Sequence, residues 1–192
     1  MSRVFAAIDR IDSQWLTTWV LSAMVATLVL ATVLSAAVSP LDERTKTTLF
    51  DLQFSGLHPW LTDRPEAGSM AGALLRRWKT AGVIDDARTA QGIDFAFPIA
   101  YGFFFLGLAA ALWRTQPDYP RGARWVWGIG LGALAALLDE GENAFLWFML
   151  ARPDQDPGRI VPALATALAI GKYAVLAAVV LILVLALRRA RA

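Results

Sequence analysis

The sequence contains no cysteine. This one absence excludes disulfides, thiol nucleophiles, iron–sulfur clusters and cysteine-ligated zinc together. Histidine is almost missing too. His58 is the single one, so His-cluster metal sites and mechanisms that need two imidazoles are also excluded. Charge is scarce and nearly balanced: 18 Lys and Arg stand against 16 Asp and Glu, a net charge of +2. A nucleic-acid partner needs a clustered basic excess, and two units of charge do not provide one. What fills the chain instead is apolar. Of its 192 residues 57% are hydrophobic and 18% charged, whereas a soluble domain is about 45–50% apolar and about 25% charged. Disorder is excluded on the same ground.

A bilayer-spanning helix needs about 20 mostly apolar residues, and four segments qualify. They run over about 15–38, 93–113, 125–150 and 160–187. The expected fold is therefore all-α: one integral membrane domain over 1–192, a four-helix bundle, with short amphipathic helices in the first extramembrane loop, 39–92. Trp15, Trp19, Trp113, Trp125 and Trp127 fall at segment ends, where interfacial aromatics belong. Ala37-Val38-Ser39 has the look of a cleavage site. The apolar run before it is longer than a signal peptide's, however, and Pro40 would follow the cut, so the first segment reads as a retained span. The short remaining connections favour antiparallel neighbours.

Four spans place both termini and the 114–124 loop on one side. Its density of Lys and Arg (Arg3, Arg10, Arg114, Arg121, Arg124, Arg188, Arg189, Arg191) points to a multi-pass protein of the cell (inner) membrane with both termini cytoplasmic. In the long loop, Asp42 is expected to cap a helix from Glu43 to about Phe54. Ser69 is expected to open a second through Leu74 and Trp78, stopped by Gly82. Both would lie along the membrane face or cap the outer mouth of the bundle. Gly56-Leu57-His58-Pro59-Trp60 reads as a turn, with His58 a surface residue.

Charged groups within the spans are the informative ones, since each costs about 2.5–3.5 kcal/mol in hydrocarbon on insertion scales. The second span has Asp94, the third Asp139, Glu140, Glu142 and Asn143, and the fourth Lys172. At about 1.5 Å rise per residue, Asp139 and Lys172 lie at similar depths, roughly 17 and 18 Å from the outer ends of their spans. This predicts a pairing of Lys172 with Asp139 or Glu140. At 100° per residue, Asp139, Glu140, Glu142 and Asn143 share one half of the helix, leaving Leu137, Leu138 and Phe148 for lipid. Pro98 lacks an N–H and clashes with the carbonyl four residues back. That carbonyl belongs to Asp94, so a polar group or water has to satisfy it. Gly128, Gly132 and Ala136, like Ala163, Ala167 and Gly171, repeat at the spacing that permits close helix approach in lipid.

Two segments, Asp94-Phe95-Ala96-Phe97-Pro98-Ile99-Ala100-Tyr101 and Asp139-Glu140-Gly141-Glu142-Asn143, fit the patterns D-x-x-F-P-x-x-Y and D-x-x-E-N. In these the chain resembles a family of small, uncharacterised bacterial four-span membrane proteins. The resemblance covers about 50–175. It implies a four-helix membrane fold with Asp94, Pro98, Tyr101, Asp139, Glu142 and Asn143 as the polar set, and it implies no activity.

The bland account of these groups is a buried network that fixes helix register. The sharper one is an enzyme acting on a lipid-like or isoprenoid substrate. In it Asp94, Asp139 and Glu142 would be catalytic acids and bases, while Tyr101, Glu140, Asn143, Lys172 and Tyr173 would bind or orient the ligand. No metal site is expected; Mg²⁺ against a pyrophosphate is the one cofactor to weigh. The alternatives are a proton- or cation-linked carrier acting as a homodimer, and a structural or assembly subunit. Membrane lipids are the expected partners and nucleic acid is not.

Overall fold

The computed structural model describes residues 11–57, 69–114 and 126–190. Among these residues every regular element is helical. α1 spans Ser13–Thr45, α2 Leu49–Gln53, α3 Met70–Thr80, α4 Ile84–Asp94, α5 Ala96–Arg114, α6 Val126–Ala151 and α7 Ile160–Ala190, with a 3₁₀ turn at Ser55–Leu57. Three stretches are long and apolar enough to cross a membrane: Ser13–Thr45, Ile84–Arg114 and Ile160–Leu185. α6 has the length, but its 26 residues include Asp139, Glu140 and Glu142, and it is not among the three. His58, Arg3, Arg10, Arg121, Arg124, Arg191 and Trp125, together with the side chains of Trp127 and Arg189, lie outside the described residues.

α1 corrects one expectation. It does not stop at Val38, and Asp42 caps nothing; the helix continues through Pro40 to Thr45. Pro40 cannot donate to the carbonyl of Ala36, but the neighbouring Ser39 hydroxyl donates to it at 2.9 Å. This local repair lets the helix go on. It ends at Lys46, in the left-handed region at φ 54°, whose N–H bonds the Asp42 carbonyl at 2.9 Å. α2 then starts independently: the Asp51 carboxylate accepts from the Thr48 N–H at 2.6 Å, one half of a capping box.

α3 begins and ends where its sequence says. Ser69 Oγ accepts from the Gly72 N–H at 3.0 Å. At the other end Gly82 takes φ +70°, with Val83 N–H on Trp78 O and Gly82 N–H on Lys79 O, both at 3.0 Å, the Schellman pattern. Its apolar face, however, does not rest on a membrane surface. Leu74, Leu75 and Trp78 enter a core with Leu41, Leu52, Val83, Ala87, Leu146 and Met149. The Trp78 indole N–H donates to Thr47 Oγ1 at 2.7 Å. A second correction concerns the next helix. Residues 84–92, expected as loop, form most of α4, and a break at Phe95 separates α4 from α5.

The chain groups into two compact units, and each long helix supplies residues to both. Of the described residues the first takes 11–28, 99–114, 126–136 and 172–190, and the second takes 29–57, 69–98 and 137–171. In the first unit the buried apolar cluster is small: Ala109, Leu112, Val179 and Leu183, flanked by Phe105, Leu108, Leu131 and Val175. Small residues set the helix approach there. A Cβ on Gly102 would lie 3.1 Å from Ala136 Cβ, and one on Gly132 3.0 Å from Phe105 Cβ. Trp113, expected at an interface, is enclosed by protein.

The second unit holds the larger core and most of the polar tethers. The Thr166 hydroxyl donates to Gln53 O at 2.7 Å and accepts from the Gly56 N–H at 3.1 Å. Asp156 clasps the start of α3: its carboxylate accepts from the Ser69 N–H at 2.9 Å, the Ser69 hydroxyl at 2.5 Å and the Gly158 N–H at 2.9 Å. The Ser69 hydroxyl in particular holds the Asp156 carboxyl below its ordinary 3.8, aided by the two backbone N–H groups and Arg76 against a partial loss of hydration. Lys79 pairs with Asp154. Arg88 Nε donates to Leu150 O at 3.1 Å, satisfying a carbonyl at the end of α6.

Candidate functional site: a buried carboxylate–amide cluster

α6 buries one stripe: Ala135, Asp139, Glu142, Asn143, Leu146, Met149 and Leu150. The spacing of three and four residues is that of a single helix face. Asp139, Glu142 and Asn143 are 3%, 1% and 0% exposed, while Leu137, on the opposite side, is 69% exposed. The inward turn of these three groups agrees with their angular positions. Glu140 sits on the flank of the stripe and is half-buried.

The amides are ordered by a chain of forced choices that starts at Pro98. Because Pro98 has no N–H, the carbonyl of Asp94 lacks its ordinary helical donor at the α4–α5 junction. Asn143 Nδ2 donates to it at 3.3 Å. The carbonyl can only accept, so Asn143 has to present its nitrogen there and turn Oδ1 the other way. Oδ1 in turn accepts from Gln91 Nε2 at 2.9 Å. Two side chains, one backbone carbonyl and one proline thus form a single oriented relay within the second unit. The Asp94 side chain is half-buried; it is its backbone that enters the relay.

The remaining expected site residues lie in the first unit. Tyr101 is buried, its hydroxyl donates to Ala135 O at 3.2 Å, and its ring meets Phe105 edge-on at 6.1 Å. Lys172 is the one buried base among the described residues, with Nζ 4.9 Å from the centre of the Tyr173 ring. Tyr173 itself is exposed.

Gln91 was not foreseen. It is fully buried on the α4 face shared with Ala87 and Ala90, but Ile84-Asp85-Asp86-Ala87-Arg88-Thr89-Ala90-Gln91-Gly92 has the composition of a loop. The small residues at Ala90 and Ala87, continuing the Asp94 face backwards by one and two helical turns, were the available signal. Gln53 and Thr166 were missed in the same way. Among the described residues no three His, Asp or Glu side chains converge as a metal-ligand set. No family model, curated protein or solved structure matches the chain.

Proposed function

We propose that this chain is a multi-pass protein of the cell membrane, with both termini cytoplasmic, whose buried carboxylate–amide cluster does general acid–base work on a lipid-like or isoprenoid substrate. The observation that carries the reading is the near-complete enclosure of Asp139 and Glu142 within one turn of α6, beside amides whose orientation is already fixed. Two acids and two amides exceed what register alone requires, and each buried polar group has a cost that a functional role explains. In this reading Asp139 and Glu142 exchange protons with the substrate, and Asp94 serves them at the helix break. Asn143 and Gln91 orient it. Glu140 flanks the two acids on α6, and Tyr101, Lys172 and Tyr173, all in the first unit, are the further ligand-binding or orienting residues of this reading.

The test uses the purified protein and a total membrane lipid extract followed by mass spectrometry. Wild type is expected to convert a lipid component. Asp139→Asn and Glu142→Gln are expected to leave it unchanged while melting at the wild-type temperature in detergent. A wild type that alters no lipid sinks the enzymatic reading.

One observation favours a second reading. The junction at Phe95, where the Asp94 carbonyl accepts from Asn143 and not from Pro98, is a helix interruption beside polar groups of the kind that carriers use. A proton- or cation-linked carrier predicts pH-dependent flux in liposomes and a homodimer in detergent.

A further inference from the structure

The relay leaves one atom over. Asn143 Oδ1 takes Gln91 Nε2, so the other end of that amide, Oε1, is fixed as an acceptor. Among the described residues nothing donates to it, and it is buried. Covalent geometry keeps it within about 5 Å of Asn143 Oδ1, at the edge of the acid face of α6. A buried acceptor left without a donor is costly, and it cannot relieve that cost by turning over. Reversing the amide would set oxygen against oxygen at Asn143, and reversing both amides would set Asn143 Oδ1 against the Asp94 carbonyl. Ala87 and Ala90, which share its face of α4, belong with Leu146 of α6 to one buried apolar cluster.

We infer that Gln91 is a ligand-recognising residue whose Oε1 accepts a hydrogen bond from the hydroxyl of a lipid-like alcohol, with the alkyl chain lying against the neighbouring apolar side chains. The inference rests on the acid–base reading of the same cluster and narrows its substrate class: the molecule brings an O–H donor, not only an acceptor. Water offers the same donor, and an alkyl chain is what separates the two sources.

The probes are n-dodecanol and dodecyl methyl ether, which share chain and oxygen but differ in the donor. Each is titrated into the detergent-solubilised full chain, and apparent affinity is read from the rise in melting temperature. Dodecanol is expected to bind about tenfold tighter than the ether, the discrimination typical of a site with a committed polar partner. In Gln91→Met, which matches the size of glutamine and has no amide, that preference is expected to vanish. Equal binding of alcohol and ether by wild type overturns the inference, leaving water as the donor; a preference that survives Gln91→Met overturns it as well. Should Gln91→Met not fold, the wild-type comparison decides alone. Lipid turnover with no alcohol preference brings down this inference only. Alcohol preference without any lipid turnover brings down the acid–base reading and leaves this one standing.

Discussion

The two units are made of the same four long helices and hold together differently. In the second, fourteen residues form one buried cluster around Trp78, and side chains from the connecting helices tie its polar groups down. It too presents apolar side chains outward, Leu137, Phe148, Leu164 and Ile170 among them. In the first, the buried cluster is four residues, helix approach depends on glycine and alanine, and Leu21, Val25, Leu28, Phe103, Val180, Leu181 and Leu185 stand exposed. Apolar surface on that scale is stable only in an apolar solvent. The difference lies inside: a broad buried core tied down by polar side chains in one, a small core with close approach through glycine and alanine in the other.

The comparison breaks most visibly at Trp78. Trp78→Ala is expected to cost about 3–5 kcal/mol in detergent unfolding followed by circular dichroism, whereas Leu183→Ala in the first unit should cost nearer about 2, because detergent or lipid refills the gap. Equal losses would erase the distinction.

Next is the proline relay. Asn143→Leu should cost about 1–3 kcal/mol by stranding the Asp94 carbonyl and the Gln91 amide. In a Pro98→Ala background, where an N–H returns to that carbonyl, the cost should fall by about 1 kcal/mol. A double-mutant cycle with no coupling would show that the two residues act separately.

Glycines sharpen the contrast at smaller scale. A Cβ on Gly56 would meet the backbone of Pro162 and Ala163 at 2.5–2.7 Å, so Gly56→Ala should destabilise by about 2 kcal/mol. Gly130 of the first unit has nothing within 4 Å of that position, and Gly130→Ala should be neutral or slightly stabilising. The smallest effect is expected at Asp156. Its carboxyl is held below 3.8, so its contribution is complete above that value and is lost as pH falls through the depressed folded-state value. Melting temperature measured from pH 6 down to pH 3 should fall more steeply for wild type than for Asp156→Asn.

Much of this was legible from local rules. The angular arithmetic on α6 foretold which side chains turn inward, and Leu137 and Phe148 do face out. Ser69 and Gly82 mark α3 because a cap and a left-handed stop are matters of a few residues. Pro98 announced a carbonyl in need of a donor. What sequence did not reveal was the donor's company. Asn143 was named as polar, yet its partner Gln91 lies in a stretch whose Asp, Arg and Thr residues mask a buried face of only three small or amide side chains. α1 outran its expected end because Ser39 repairs Pro40 within one turn, and a proline's repair depends on the side chain beside it. The helix of Trp78 was expected along the membrane face or over the mouth of the bundle, because amphipathicity tells that a helix has an apolar side and not what covers it.

The two prolines also differ in when they become comfortable. Ser39 precedes Pro40, so the unquenched oxygen in α1 finds its hydroxyl as soon as that turn is made. The oxygen at Asp94 has to wait for Asn143, 45 residues after Pro98 in the order of synthesis. At about 5–20 residues per second that is an interval of roughly two to nine seconds. During it a nascent α4–α5 segment on the membrane reading carries an exposed dipole at its hinge. Ribosome-bound chains stopped before residue 143 should therefore keep that hinge close to water, and those stopped after α6 has emerged should draw it in.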